Sequence, residues 1–158
     1  MRLTEILAVE RILVDARGEQ VREKSDALAI LARLLAPATG VDAEAIAQLL
    51  SEREGLQSTG IGDGVAIPHT SLEAAPGQAA ALLVCPRGVP FDAIDGKDVT
   101  IVFGVVGPRK ATGEHLRVLA RISRLLREEE GRRLLVEAPT PEAVFAVITG
   151  VIVLGQVP

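Results

Sequence analysis

The sequence predicts a single α/β domain with a mixed β-sheet that is flanked by helices on both faces. Two nearly continuous apolar runs, Ala79–Cys85 and Val99–Val106, have the composition of strands that are buried on both faces. Segments with helical spacing of apolar residues lie before and after these runs. No linker rich in Pro, Gly or Ser divides the chain. The domain is therefore assigned to residues 1–150, and residues 151–158 are interpreted as an apolar C-terminal tail.

The first third of the chain predicts one strand followed by two helices. Arg11–Asp15 is a short run with the composition of a strand. Val21–Leu35 has its leucines at helical spacing, and this helix is expected to end before Pro37 because the residue before a proline disfavours helix. Asp42 can cap a second helix, which Gly55 is expected to end.

The rest of the chain predicts two further helices around the two apolar strands. A glycine-dense stretch, Thr59–Gly64, leads into Val65–His69, which places His69 at the end of a strand. Thr112 can cap one long helix from Gly113 to about Glu129. Its inner face is predicted to consist of Leu116, Leu119, Ala120, Ile122 and Leu126. Thr140 and Pro141 are typical of a helix start, and that last helix continues through Ile148.

Composition excludes several classes of function. The 158 residues contain three Phe and no Trp or Tyr, so no row of aromatic rings is available to stack nucleic-acid bases. The formal net charge of -4 also argues against a nucleic-acid partner. Met1–Glu5 lacks the apolar region of a secretory signal, and the uncharged segment Ala143–Pro158 is too short to span a bilayer. We therefore expect a cytoplasmic protein without a membrane span, in which Cys85 is a small buried apolar residue.

Two histidines are the candidates for chemistry. His69 follows the rigid Ile67-Pro68 step, and His115 lies in the first turn of the helix that Thr112 opens. Either residue alone is compatible with a purely structural role. If the two rings meet, a phosphoryl site or a metal pair becomes possible, because unpaired N–H groups at a helix start attract phosphate. A metal site would need a third ligand, and no H-x-x-x-H or H-E-x-x-H motif is present.

The glycines of Thr59–Gly64 do not form a nucleotide-binding motif. They precede a predicted strand rather than a helix, and Val65 breaks the pattern G-x-G-x-x-G. No G-K-[ST] sequence exists, so a P-loop is absent as well. The glycines are instead expected to let the backbone turn closely beneath His69.

The segment Ser58–His69, STGIGDGVAIPH, resembles the active-site signature of enzyme IIA domains of the bacterial phosphoenolpyruvate-dependent phosphotransferase system. The similar branch is the fructose/mannitol type, which includes the nitrogen-regulatory enzyme IIA proteins. Arg53-Glu54, Phe91–Gly96, Glu114–Leu116 and Ile122–Leu126 are similar to further family segments. The resemblance runs from Met1 to about Thr149 and implies an enzyme IIA domain over residues 1–150.

This resemblance implies a phosphohistidine carrier. His69 would accept a phosphoryl group from the carrier HPr or a nitrogen-type paralogue, and Arg53 and His115 would bind the phosphoryl oxygens. The recipient would be an enzyme IIB or a regulatory target protein. No cofactor and no metal is expected, since two imidazoles and a guanidinium would stabilise the transferred group.

The branch within the family is predicted on weaker grounds. No IIB or IIC segment is recognised in the chain, which favours the nitrogen-regulatory type. The alternatives are a sugar-specific enzyme IIA that passes phosphoryl to an enzyme IIB, and a non-catalytic regulatory binding module. Asp63 in the glycine turn and Thr70-Ser71 after the histidine depart from many relatives, which bears on partner choice and phosphorylation rate.

Overall fold

A computed structural model describes residues 2–150, and the predicted tail at residues 151–158 lies outside the described residues. Two short 3-10 turns, Leu3–Glu5 and Val9–Arg11, precede the first strand. The strands are β1 (Ile12–Val14), β2 (Gly60–Gly62), β3 (Val65–Ala66), β4 (His69–Leu72), β5 (Ala79–Val89) and β6 (Val99–Pro108). The helices are α1 (Lys24–Thr39), α2 (Ala43–Leu56), α3 (Thr112–Leu125), α4 (Glu129–Glu137) and α5 (Pro141–Thr149).

The strands form one mixed sheet in the order β1-β5-β6-β3-β2, with β4 also paired to β6. The central pair, β5 and β6, is antiparallel, whereas β1 runs parallel to β5 and both β3 and β4 run parallel to β6. The predicted α/β class with a mixed sheet is confirmed.

Helices cover both faces of the sheet because its central strands are apolar on both sides. Along β5, Ala81 and Leu83 face the layer of α1 and α2, while Leu82 and Val84 face the layer of α3, α4 and α5. This alternation follows from the two-residue period of a strand. The nearly continuous apolar run in β5 predicted a strand buried on both faces, and its residues do pack into two separate hydrophobic layers.

The first helix continues past the residue where we expected it to end. Helix α1 includes Pro37 and reaches Thr39, after which Gly40 takes the left-handed conformation with φ 71°. Its apolar face is fully buried at Leu31 and Leu35, and this tertiary packing outweighs the local preference against proline. Pro37 lies in the final turn, so its missing N–H removes one hydrogen bond near the helix end.

The single long helix expected from Gly113 to Glu129 is wrong, because two helices occupy this part of the chain. Helix α3 ends at Leu125, and α4 begins at Glu129. The guanidinium of Arg132 donates to the carbonyls of Leu126 and Arg127, which satisfies the open end of α3 within the turn. The sequence analysis did not predict α4.

The predicted inner face of helix α3 is confirmed at Ile122 and Leu126, which are buried, and is wrong at two other positions. Leu116 is 60% exposed and Ala120 is exposed, although both were predicted to be inside. The buried positions are Val118 and Ile122, and the half-buried His115 lies on the same stripe. In addition, Thr112 is the first helical residue rather than the cap. The helix is thus rotated so that its first turn directs His115 toward the sheet.

The other two helix starts follow the sequence. Asp42 accepts a hydrogen bond from the N–H of Glu44, and Thr140 accepts one from the N–H of Ala143. Pro141 occupies the first turn of α5 as predicted. Among residues 2–150, no helix has the length and apolar character needed to cross a membrane.

Cys85 is buried in β5, as predicted. It is 1% exposed, and burial together with the nearby charge of Asp15 raises the pKa of its thiol to about 12. A thiol that holds its proton so firmly is a poor nucleophile.

Two glycine-to-alanine substitutions should change stability in opposite directions. A Cβ on Gly104 in β6 would lie 2.9 Å from Cδ2 of Leu31 in the core, so Gly104→Ala should lower the free energy of unfolding by about 1–3 kcal/mol. Gly55 in α2 has open space around it, so Gly55→Ala should raise stability by roughly 0.5–1 kcal/mol. Urea unfolding measures the free energy of unfolding of both variants. A change of the same sign and size in the two would contradict the packing described.

Candidate active site

His69 is held by an interruption between β3 and β4. Ile67 donates its N–H to the carbonyl of Thr59 (3.0 Å) rather than to β6, and Pro68 has no N–H to donate. The freed carbonyl of Ile67 lies 2.8 Å from Nδ1 of His69. Because a carbonyl only accepts, Nδ1 carries the proton and Nε2 carries the lone pair. His69 is the first residue of β4, not the last residue of a strand as predicted.

His115 approaches His69 from the first turn of α3. The two ring centroids are 5.8 Å apart, with the ring planes tilted by 51°. Nδ1 of His115 lies 2.9 Å from Oε1 of Gln78. Burial lowers the pKa of His115 below its ordinary value of 6.5, and the charge of His69 lowers it further. His115 is therefore neutral at physiological pH.

Arg53 completes a groove of about 280 Å³ that also contains both histidines. It lies in the last turn of α2, where its guanidinium donates to the carbonyl of Gln57 (3.2 Å). Within residues 2–150, Arg53 forms no ion pair with a carboxylate. The groove is lined by Arg53, His69, Thr70, Ser71, Pro108, Arg109, Thr112 and His115. The structure thus brings together the three residues that the sequence singled out.

A buried carboxylate anchors the segment that leads into the site. Glu54 accepts the N–H of Thr59 at 3.0 Å and the hydroxyl of the same residue. Nζ of Lys24 lies 3.1 Å from Glu54 and 3.2 Å from Asp92, above the ring of Phe91. These contacts tie the start of α1, the end of α2 and the glycine stretch to one another.

The glycine stretch forms a β-hairpin beside this anchor. Asp63 and Gly64 both have positive φ, 57° and 77°, which is the geometry of a two-residue hairpin turn. A Cβ on Gly60 would overlap the backbone of Ala93, so its absence permits close contact with the Phe91–Gly96 segment. The N–H of Asp63 also donates to Asp95 (3.1 Å). The glycines thus let the backbone turn closely, and the close contact that they permit is with Ala93.

Sequence reasoning gave several residues no place in the site. Thr70 and Ser71, noted only as departures from many relatives, line the groove together with Arg109, which was not singled out. Gln78 was overlooked because it precedes the apolar run Ala79–Cys85 and carries no motif. The signal available was a lone polar residue at the edge of that run.

The chemistry of the groove is that of an anion site with a nucleophile. Arg53 and Arg109 supply positive charge, and the unpaired N–H groups at the start of α3 add to it. Nε2 of each histidine has no hydrogen-bond partner among residues 2–150. In the same part of the chain, no group of three or more His, Cys, Asp or Glu residues converges as metal ligands.

Comparison with known proteins decides the family. Residues 5–151 match the model for the phosphoenolpyruvate-dependent sugar phosphotransferase system, EIIA 2. The chain belongs to this family. As an enzyme IIA domain, it is a component of a phosphotransferase system.

The relatives of this enzyme IIA domain include regulatory and sugar-specific proteins. A nitrogen regulatory protein of Pseudomonas aeruginosa is 36% identical, covering 96% of this chain and 97% of that protein. A fructose-specific EIIA component of Haloferax volcanii is 31% identical, and the match covers 96% of this chain and 99% of that protein. The crystal structure of the nitrogen regulatory protein IIA-Ntr from Neisseria meningitidis is similar with a TM-score of 0.83 at 32% identity, covering 91% of this chain and 97% of that one.

Removing the anchor of the enzyme IIA domain should destabilise it. Glu54→Ala leaves the N–H of Thr59 without its acceptor and leaves the partly buried Lys24 with only the exposed Asp92 as a partner, so the free energy of unfolding should fall by roughly 2–3 kcal/mol. Glu52→Ala, on an exposed position of the same helix, should change it by less than about 0.5 kcal/mol. Denaturant unfolding of both variants makes the comparison, and equal losses would contradict the anchoring role.

The pKa of His115 should depend on His69. In His69→Ala the neighbouring charge is lost while most of the burial remains, so the pKa of His115 should rise part of the way toward 6.5. Because the native state resists protonation, the free energy of unfolding should fall as the pH drops from neutral through 6.5 to the lowered native pKa. NMR titration of the two ring protons measures the shift. A pKa of His115 at or above 6.5 in the wild-type domain would contradict this account.

Proposed function

We propose that this enzyme IIA domain is a phosphohistidine carrier in which Nε2 of His69 accepts the phosphoryl group. The observation that carries the proposal is the hydrogen bond between Nδ1 of His69 and the carbonyl of Ile67. It selects the tautomer whose lone pair is on Nε2, in a half-buried ring that lines the groove. A neutral imidazole in this state is a competent nucleophile near pH 7.

The transfer needs no net proton movement at His69. The lone pair of Nε2 forms the new N–P bond as the N–P bond in the donor phosphohistidine breaks, and the donor imidazole leaves with that electron pair. Positive charge then develops on the ring of His69, where the Nδ1–H group already donates to Ile67. The bond that fixes the tautomer thus also stabilises the product.

The phosphoryl oxygens would be bound by Arg53 and His115. The guanidinium offers paired, charge-assisted hydrogen bonds, and its lack of a carboxylate partner among residues 2–150 leaves it available for an anion. His115 stands with its ring centroid 5.8 Å from that of His69, close enough for its Nε2 to reach an oxygen of the transferred group. Phosphoryl transfer depends chiefly on such positioning and charge stabilisation.

The donor that fits this chemistry is HPr or its nitrogen-type paralogue, and the favoured role is regulatory. The similarity to nitrogen regulatory proteins, which extends over nearly the full length of both chains, supports this role. The state of the groove would then control a target protein, because phosphate adds about two negative charges to a surface that holds two arginines.

A sugar-specific role is the second candidate. The fructose-specific relative is similar over an equal share of the chain. In that case the phosphoryl group would pass from His69 to an enzyme IIB. The two roles share the same chemistry at His69 and differ only in the recipient.

Phosphorylation by phosphoenolpyruvate, enzyme I and either carrier tests the proposal. We expect an acid-labile phosphate on the wild-type protein and none on His69→Ala. His115→Ala keeps the nucleophile and loses a stabilising group, so it should still be labelled but should transfer onward roughly 100-fold more slowly. Each variant lacks one imidazole and serves as the control for the other.

The outcomes separate the alternatives. Labelling of His69→Ala at the wild-type level would disprove the assignment of the nucleophile. If neither carrier labels the wild-type protein, a non-catalytic binding module is favoured. Rapid transfer of the label to an added enzyme IIB of the fructose type would favour the sugar-specific role over the regulatory one.

A further inference from the structure

Gln78 is a buried side chain that the chemistry above does not use. It directly precedes β5 and is 8% exposed. Its Oε1 lies 2.9 Å from Nδ1 of His115. Its Nε2 is buried and has no hydrogen-bond partner among residues 2–150. The amide oxygen therefore has a partner in His115, whereas the amide N–H₂ group has none among residues 2–150.

The neighbouring strand is shaped to accommodate this amide. Ala79 pairs with Val106 in the antiparallel β5–β6 ladder, which places Gln78 across from Gly107. A Cβ on Gly107 would overlap the terminal amide group of Gln78. Any residue other than glycine at position 107 would force the amide away from its present position.

A buried amide with an unsatisfied N–H₂ group lowers stability. An apolar side chain of similar size would fill the same space without that cost, so packing alone does not explain a glutamine here. The contact that glutamine provides, and that an apolar residue does not, is the one between Oε1 and His115.

We propose that Gln78 is a positioning residue that fixes the tautomer and orientation of His115. Its Oε1 accepts the proton of Nδ1, which leaves Nε2 of His115 unpaired for the groove that it shares with His69. The inference deepens the proposed function and rests on it for its role in transfer. The tautomer itself is independent of that function.

With this tautomer, His115 can bind a phosphoryl oxygen only after its Nε2 gains a proton. The neutral ring with its proton on Nδ1 presents a lone pair at Nε2, which repels an anionic oxygen. When a phosphoryl group is attached to His69, its negative charge favours uptake of a proton from water at Nε2, and the resulting N–H donates to a phosphoryl oxygen. Gln78 accepts from Nδ1–H both before and after this step. The other groups of the groove that disfavour a positive charge on His115 are His69, Arg53 and Arg109, and the negative charge of the phosphoryl group offsets their effect.

The experiment combines ¹⁵N NMR of the histidine rings with phosphoryl transfer rates for four variants. Gln78→Leu removes the acceptor, and Gly107→Ala displaces it without changing residue 78. Gln78→Glu retains an acceptor and introduces a negative charge that raises the pKa of His115. Gln48→Leu makes the same chemical change at an exposed position of α2 and is the control.

We expect wild-type His115 to carry its neutral-state proton on Nδ1, and this state should persist in Gln78→Glu and Gln48→Leu. In Gln78→Leu and Gly107→Ala it should give way to a mixture of tautomers, with onward transfer slowed roughly 10- to 100-fold. If Gln78→Leu does not fold, Gly107→Ala tests the same hydrogen bond.

Two results would overturn the proposal. One is a wild-type His115 with its proton on Nε2. The other is unchanged tautomer and transfer rate in a folded Gln78→Leu or Gly107→Ala variant. Absence of any labelling of the wild-type protein would count against the proposed function alone, because the tautomer is read on the unphosphorylated protein.

Discussion

The buried carboxylate of Glu54 is the contact on which the geometry of the groove depends. A buried negative charge requires partners that compensate it. Those of Glu54 come from separate parts of the chain, Lys24 in α1 and Thr59 before the hairpin. Arg53 is the preceding residue on the same helix, so fixing Glu54 fixes the backbone from which Arg53 extends. A single internal ion pair thereby connects the start of α1 to the end of α2 that carries Arg53.

The two imidazoles are also held by internal hydrogen bonds, because Nδ1 of each ring lies against an acceptor inside the domain. For His69 the acceptor is the backbone carbonyl of Ile67, and for His115 it is the amide of Gln78. Both rings are mounted on regular elements, a strand and a helix, rather than on a loop. The orientation and tautomer of both rings are therefore fixed by the fold itself.

The sequence was sufficient for the fold class, and apolar runs located the central strands. His69 and His115 were candidates from their identity and neighbours, whereas Arg53 was singled out only by the family resemblance. All three line the groove. The continuation of α1 through Pro37 was not predictable locally, because packing of its buried face decides it. Leu116 was placed inside because it is apolar and lies at helical spacing from Leu119 and Ala120, but the sheet does not extend over that part of the helix surface. Gln78 was missed because its role exists only through contacts distant in sequence.

Nδ1 of His69 is occupied by its hydrogen bond to the carbonyl of Ile67, and this restricts the order in which two partner proteins can bind. Only one ring nitrogen, Nε2, then remains for the phosphoryl group proposed above. A protein that delivers a phosphoryl group and a protein that removes it would have to occupy the same place, so the first must depart before the second can bind. A relay built on this nitrogen is restricted to ping-pong exchange, and the two partners compete for one docking position.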